Sequence, residues 1–94
     1  MKIAFDVDGT LITYEDKPRW DILAMLRTLN SCGHDIVVWS GGGREYAEVW
    51  TRRLFIHDLV TVQEKPLLRV EEGPFVDIAF DDEDIALGKV NVKV

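Results

Sequence analysis

The sequence predicts an α/β domain: a doubly wound, Rossmann-like parallel sheet of five strands, with helices on both faces and no cap domain. Two observations carry this expectation. Short, continuously apolar runs alternate with amphipathic segments of helical period, the pattern of a parallel sheet covered by crossover helices. The length of 94 residues, with no repeat, low-complexity stretch or linker, suits a single domain spanning residues 1–94.

The elements follow in chain order. Lys2–Asp6 (KIAFD) reads as a buried strand. Pro18–Cys32 reads as a helix, because Ile22, Met25, Leu26 and Leu29 fall at i, i+3, i+4 and i+7. Pro18 suits its first position and Gly33 the turn after its end. Asp35–Ser40 (DIVVWS) is a second strand, rich in β-branched residues. Arg44–Phe55 is a second helix with Tyr46, Val49, Trp50 and Leu54 on one face. Leu59–Val62, Phe75–Phe80 and Val90–Val94 complete the strands. Pro66 and Pro74 bracket at most a helical turn at Leu67–Glu71.

Composition removes several function classes. The hydrophobic fraction of 47% is that of a folded chain. No apolar run approaches the ~20 residues of a membrane span, and no secretory leader pattern is visible. A lone Cys32 allows no internal disulfide, so a reducing, cytoplasmic setting is expected. Eleven basic residues against seventeen acidic ones give a net charge of −6. That disfavours duplex nucleic acid and anionic lipid as partners. The acids gather between Glu71 and Asp84, where no Lys or Arg interrupts them.

In a parallel sheet, ligands sit beyond the carboxyl ends of the strands, so the chemistry is sought there. The first strand runs into Asp6-Val7-Asp8-Gly9-Thr10. A calcium loop counted from Asp6 needs a glycine sixth and an acid twelfth. Leu11 and Lys17 stand there, which excludes it. A carboxylate nucleophile with a neighbouring acid/base carboxylate fits the pair, as does a plain turn. The second strand ends in Ser40-Gly41-Gly42-Gly43 before a helix. That is a flexible turn or an anion seat, and not a P-loop, since no Gly-Lys-Ser/Thr follows. Lys65-Pro66 follows the third strand, where the ammonium could meet a transferring phosphoryl group. The fourth strand closes on Asp81-Asp82, adjacent acids with oxygen ligands for magnesium.

Taken in order, this set resembles the haloacid dehalogenase superfamily over nearly the whole chain, in its phosphatase branch. The family's DxDGT matches Asp6–Thr10, its Ser/Thr matches Ser40, its Lys matches Lys65, and its paired acids match Asp81-Asp82. Response-regulator receiver domains use similar groups in another order, with the acid pair first and the lysine near the end. That order excludes them here.

The resemblance implies a magnesium-dependent phosphomonoester hydrolase. Asp6 is then the nucleophile that becomes an aspartyl phosphate, and Asp8 the general acid/base. Ser40, Gly41 and Lys65 hold the phosphoryl group. Mg2+ is held by the Asp6 carboxylate, the Asp8 backbone carbonyl and Asp81 or Asp82. The family often adds an acid three or four positions beyond the pair, but Ile85 and Ala86 occupy those places, and Asp84, the only nearby candidate, has the wrong spacing. The choice between Asp81 and Asp82 therefore stays open. No room exists for a cap between Gly9 and Gly41 or before Lys65, so the site is open. It suits a phosphorylated small molecule or an accessible macromolecular end. The alternative is a catalytically weak or inactive module of the same fold that binds a phosphorylated ligand or a protein partner.

Other residues are assigned more plainly. Cys32, His34 and His57 are structural or exposed. Trp20 and Trp50 pack or meet a partner, and Trp39 packs beneath the site. Arg44 either reaches a substrate anion or is solvated. The short third crossover leaves a sheet face to be covered either by a second copy in a homo-oligomer or, in a monomer, by Leu67, Leu68 and Val70 folding down over it.

Overall fold

The computed structural model describes residues 1–66 and 73–94. The expected turn at Leu67–Glu71 lies outside the described residues. The strands are β1 (Lys2–Asp6), β2 (Asp35–Trp39), β3 (Thr61–Val62), β4 (Val76–Asp81) and β5 (Gly88–Lys93); the helices are α1 (Trp20–Ser31) and α2 (Arg44–Arg53). The sheet order is β3-β2-β1-β4-β5 with every pairing parallel. The α/β parallel sheet is therefore as expected, and its order reverses between β1 and β4.

Alternation along the strands divides the sheet into two faces. Ile3, Phe5, Ile36, Val38 and Phe80 join Ile22, Leu23 and Leu26 of α1 and Ala47 and Trp50 of α2 in one buried cluster. Phe5 and Phe80 stack at 4.7 Å between centroids, a contact of about 0.5–1.5 kcal/mol beyond its buried area. Ala4, Val37, Trp39 and Ala79 form the opposite cluster with Val76 and Leu87.

Among the described residues, helices cover one face only, where the expectation had them on both. Both described helices share the Ile3–Phe5 face. Stepping from β1 to β2 to β3 moves in one direction along the sheet, and right-handed crossovers in one direction lie on one side. The bare face does not hold among the described residues: Ala4, Val37, Trp39 and Ala79 are at most 1% exposed within the single chain.

Element ends moved for local reasons. Pro18 does not open α1. It bridges Ile12, while Arg19 N–H bonds Leu11 O at 2.9 Å, so residues 12–18 form a small hairpin and the helix begins at Trp20. α2 stops at Arg53 because Phe55 turns to φ +58°. The expected start of the third strand is a 3-10 turn at His57–Leu59. β5 begins early, at Gly88, which pairs with Val76. A Cβ on Gly88 would stand 2.8 Å from Ala79 N, so only glycine lets the strands come together there. The Asn91 side chain braces this corner, accepting from Leu87 and Gly88 N–H and donating to Gly88 O.

Candidate functional site

The carboxyl ends of β1, β2 and β4 open onto one cavity of about 260 Å³, lined by Asp6, Asp8, Tyr14, Ser40, Gly41, Gly42, Lys65, Asp81, Asp82 and Glu83. Every residue expected at the site from the sequence lines it. Arg44 does not, and is exposed on the first turn of α2.

β1 delivers Asp6 to the cavity floor, 5% exposed. The chain then leaves the strand at once. Val7 O receives the N–H groups of Thr10, Leu11 and Ile12 at 3.0–3.2 Å, closing a tight turn. Asp8 thus reaches the cavity from a turn, and strand alternation plays no part in aiming it. Gly9 sits at φ +79°, and a Cβ on it would strike the Asp82 carboxylate and come within 2.9 Å of Tyr14 Cε2. Both conditions select glycine. Arg19 Nη1 holds Gly9 O at 3.0 Å.

Lys65 lies between two acids. Its Nζ is 3.1 Å from Asp6 Oδ1 and 2.8 Å from Asp81 Oδ2. Asp81 is 1% exposed, and its second oxygen accepts the Glu83 N–H at 3.0 Å. Both oxygens of Asp81 are thus engaged. Burial pushes the Asp6 carboxyl up to about 7; neighbouring Asp81 adds to this and Lys65 opposes it. Burial alone would lower the Lys65 ammonium, but its bonds to Asp81 and Asp6 outweigh that and raise it.

The other two acids have phenol partners. Tyr46, on α2, donates to Asp8 Oδ1 at 2.7 Å. Tyr14, in the 12–18 hairpin, donates to Asp82 Oδ2. Each phenol is raised by the carboxylate it serves, Tyr14 to about 12. The sequence reading missed both roles. Tyr46 sits at a helical-period position, which reads as core, and its ring does pack against the core cluster. Tyr14 stands among charged residues in a turn and is 71% exposed; an aromatic so placed was its available signal.

On the far wall, Ser40 is 3% exposed and its Oγ accepts the Gly42 N–H at 3.0 Å. Its own hydroxyl hydrogen is left to donate. Gly41 is exposed at the rim, so its N–H can be approached. Trp39 is buried directly before them, as expected of a residue that packs beneath the site.

Among the described residues, the lining carries Asp6, Asp8, Asp81, Asp82 and Glu83 against Lys65 alone. Asp6, Asp81 and Asp82 each offer an oxygen, all within 4.8 Å of one another. Hard carboxylate donors so close suit Mg2+, so the residues present fit that ion. Among the described residues, Asp82 is held through one oxygen only, whereas Asp81 is held through both, which makes Asp82 the freer of the pair to meet a cation. The Asp8 carboxylate is not part of this set.

Elsewhere, Cys32 is exposed at the end of α1. His34 Nδ1 meets the amino group of Met1, and His57 faces Glu48 and Asp58. Trp20 is 71% exposed and Trp50 8%. None of the described helices is long and apolar enough to cross a membrane. Comparison of the chain with protein-family models, curated proteins and solved structures gave no match.

Proposed function

We propose that this protein is a magnesium-dependent phosphomonoester hydrolase working through an aspartyl-phosphate intermediate on Asp6. The observation that supports this reading best is Lys65 drawn onto both Asp6 and Asp81 beside the Ser40–Gly41 turn. A nucleophilic carboxylate, a charge-balancing ammonium and anion donors thus face one cavity. The resemblance to haloacid dehalogenase phosphatases assigns the same residues to the same roles.

The chain's groups divide the work as follows. An Asp6 carboxylate oxygen attacks phosphorus while the bond to the leaving oxygen breaks. Asp8 gives that oxygen its proton. A water then attacks the phosphorus of the aspartyl phosphate, gives its proton to Asp8, and releases inorganic phosphate and the Asp6 carboxylate. Ser40 Oγ–H and Gly41 N–H donate to the phosphoryl oxygens, and Lys65 balances their charge. Mg2+, held by Asp6, Asp82 and the Asp8 backbone carbonyl with Asp81 close by, would supply the positive charge that lets a phosphate dianion approach a carboxylate.

Five carboxylates in the lining repel a polyanion, so the substrates that fit are small phosphate monoesters or an accessible phosphorylated end. Duplex nucleic acid fits poorly. Hydrolysis of an aryl phosphate and of a panel of alkyl phosphates, with Mg2+ and with chelator, tests the reading. Turnover that needs Mg2+ and is abolished in Asp6→Asn is expected. No turnover of any ester would favour instead a module that binds a phosphorylated ligand or a protein.

A further inference from the structure

Tyr14 stands outside the roles assigned above, yet it is tied to the acid cluster. Its phenol donates to Asp82 Oδ2, and its ring crosses Gly9, where a Cβ would stand 2.9 Å from Cε2. The hairpin that carries it is anchored twice. Thr13 N–H bonds Lys17 O at 2.8 Å and Arg19 N–H bonds Leu11 O at 2.9 Å. The Thr13 hydroxyl also accepts the N–H groups of Glu15 and Lys17. A donor on a braced turn therefore bonds one acid of the three.

That acid is the one Lys65 does not hold. Lys65 fixes Asp6 and Asp81, and Glu83 N–H fixes the remaining oxygen of Asp81. Asp82 is only half-buried, and among the described residues Tyr14 is the side chain that bonds its carboxylate. A carboxylate bonded through one oxygen presents the other in a fixed direction. Partners of this kind hold metal-binding groups in place, and their loss typically costs 10–100-fold in affinity.

We propose that Tyr14 is a positioning residue for the cation: through its bond to Asp82 Oδ2 it holds that carboxylate toward Asp6 and Asp81 and so sets the affinity for Mg2+. This rests on reading Asp6, Asp81 and Asp82 as the cation site. It does not require turnover.

The test is calorimetric titration with Mg2+ of the wild type, Tyr14→Phe, Asp82→Asn and the double variant, each first brought to zero metal with chelator. Phe keeps the ring against Gly9 and removes only the donor. With the ring 71% exposed, the metal-free melting temperature should not move. The expected result is about tenfold or greater weakening in Tyr14→Phe, with no further loss on adding that change to Asp82→Asn. Equal or tighter binding in Tyr14→Phe overturns the assignment, as does an additive loss in the double variant. Absence of Mg2+ binding by the wild type overturns it together with the cation site. Mg2+ binding with the expected pattern but without ester hydrolysis fails the hydrolase reading alone and leaves Tyr14 its role.

Discussion

Tyr46 and Asp8, 38 residues apart, meet at 2.7 Å, and the phenol donates to the carboxylate that the proposed mechanism uses as its acid and base. The bond takes one Asp8 oxygen and leaves the other for the reacting centre. Tyr46→Phe should therefore lower kcat/KM about tenfold on alkyl phosphates, whose leaving oxygens need a proton. The loss should be much smaller on nitrophenyl phosphate, whose leaving group departs without one. A loss of equal size on both would mean that the hydroxyl does not serve Asp8 in proton transfer.

The Asp6 carboxyl makes the metal-free protein less stable as pH rises. Its folded pKa of about 7 lies above the ordinary 3.8, so between those values the native state keeps a proton that the unfolded chain has lost. Stability is thus full below about pH 4 and falls up to about pH 7 on this account. The size is on the order of a few kcal/mol, at about 1.4 kcal/mol per pKa unit. Urea unfolding in chelator from pH 4 to 8 should show the decline, and Asp6→Asn should flatten it. A wild-type curve that rises over this range would contradict the buried, proton-retaining Asp6.

Lys65→Met leaves Asp6 and Asp81 buried without their ammonium. Removing one partner of a buried ion pair costs about 3–5 kcal/mol, so the variant should be destabilised by that order at pH 8 in chelator. Asp6, raised to about 7, takes up a proton as pH falls, so the deficit should shrink by pH 4. A deficit unchanged by pH would assign the loss to packing of the lysine stem.

Gly88→Ala probes the close approach of β5 to β4. The added methyl would meet Ala79 N at 2.8 Å and Val90 O at 2.7 Å, both backbone atoms that cannot swing aside. A loss of about 1–3 kcal/mol is expected, with the site residues unaffected because Gly88 lies at the other end of β4, beside Val76. A neutral substitution would show that the strands separate easily there.

Much of the site was legible because its acids stand where strands end. Continuous apolar runs located β1, β2 and β4, and the residues closing them had to share one edge of a parallel sheet. Lys65 was legible through its place after β3, although β3 has only two residues. The phenols were not legible. Tyr46 serves core and site at once, and helical period reports only the core. Tyr14 depends on a hairpin that Pro18 helps to close, while a proline before an apolar helical pattern reads as the start of that helix. The placement of both helices on one face follows from strand order, which local sequence does not reveal.

Covalent capture of the phosphoryl group on Asp6 tests the central claim most directly. Asp8→Asn should still form the aspartyl phosphate from nitrophenyl phosphate with Mg2+, since that leaving group needs no acid, but it should hydrolyse the intermediate slowly. Acid quenching followed by peptide mass spectrometry should find one added phosphoryl group on Asp6, absent from Asp6→Asn and from samples in chelator. A phosphoryl group on any other residue, or unimpaired turnover by Asp6→Asn, would contradict the account.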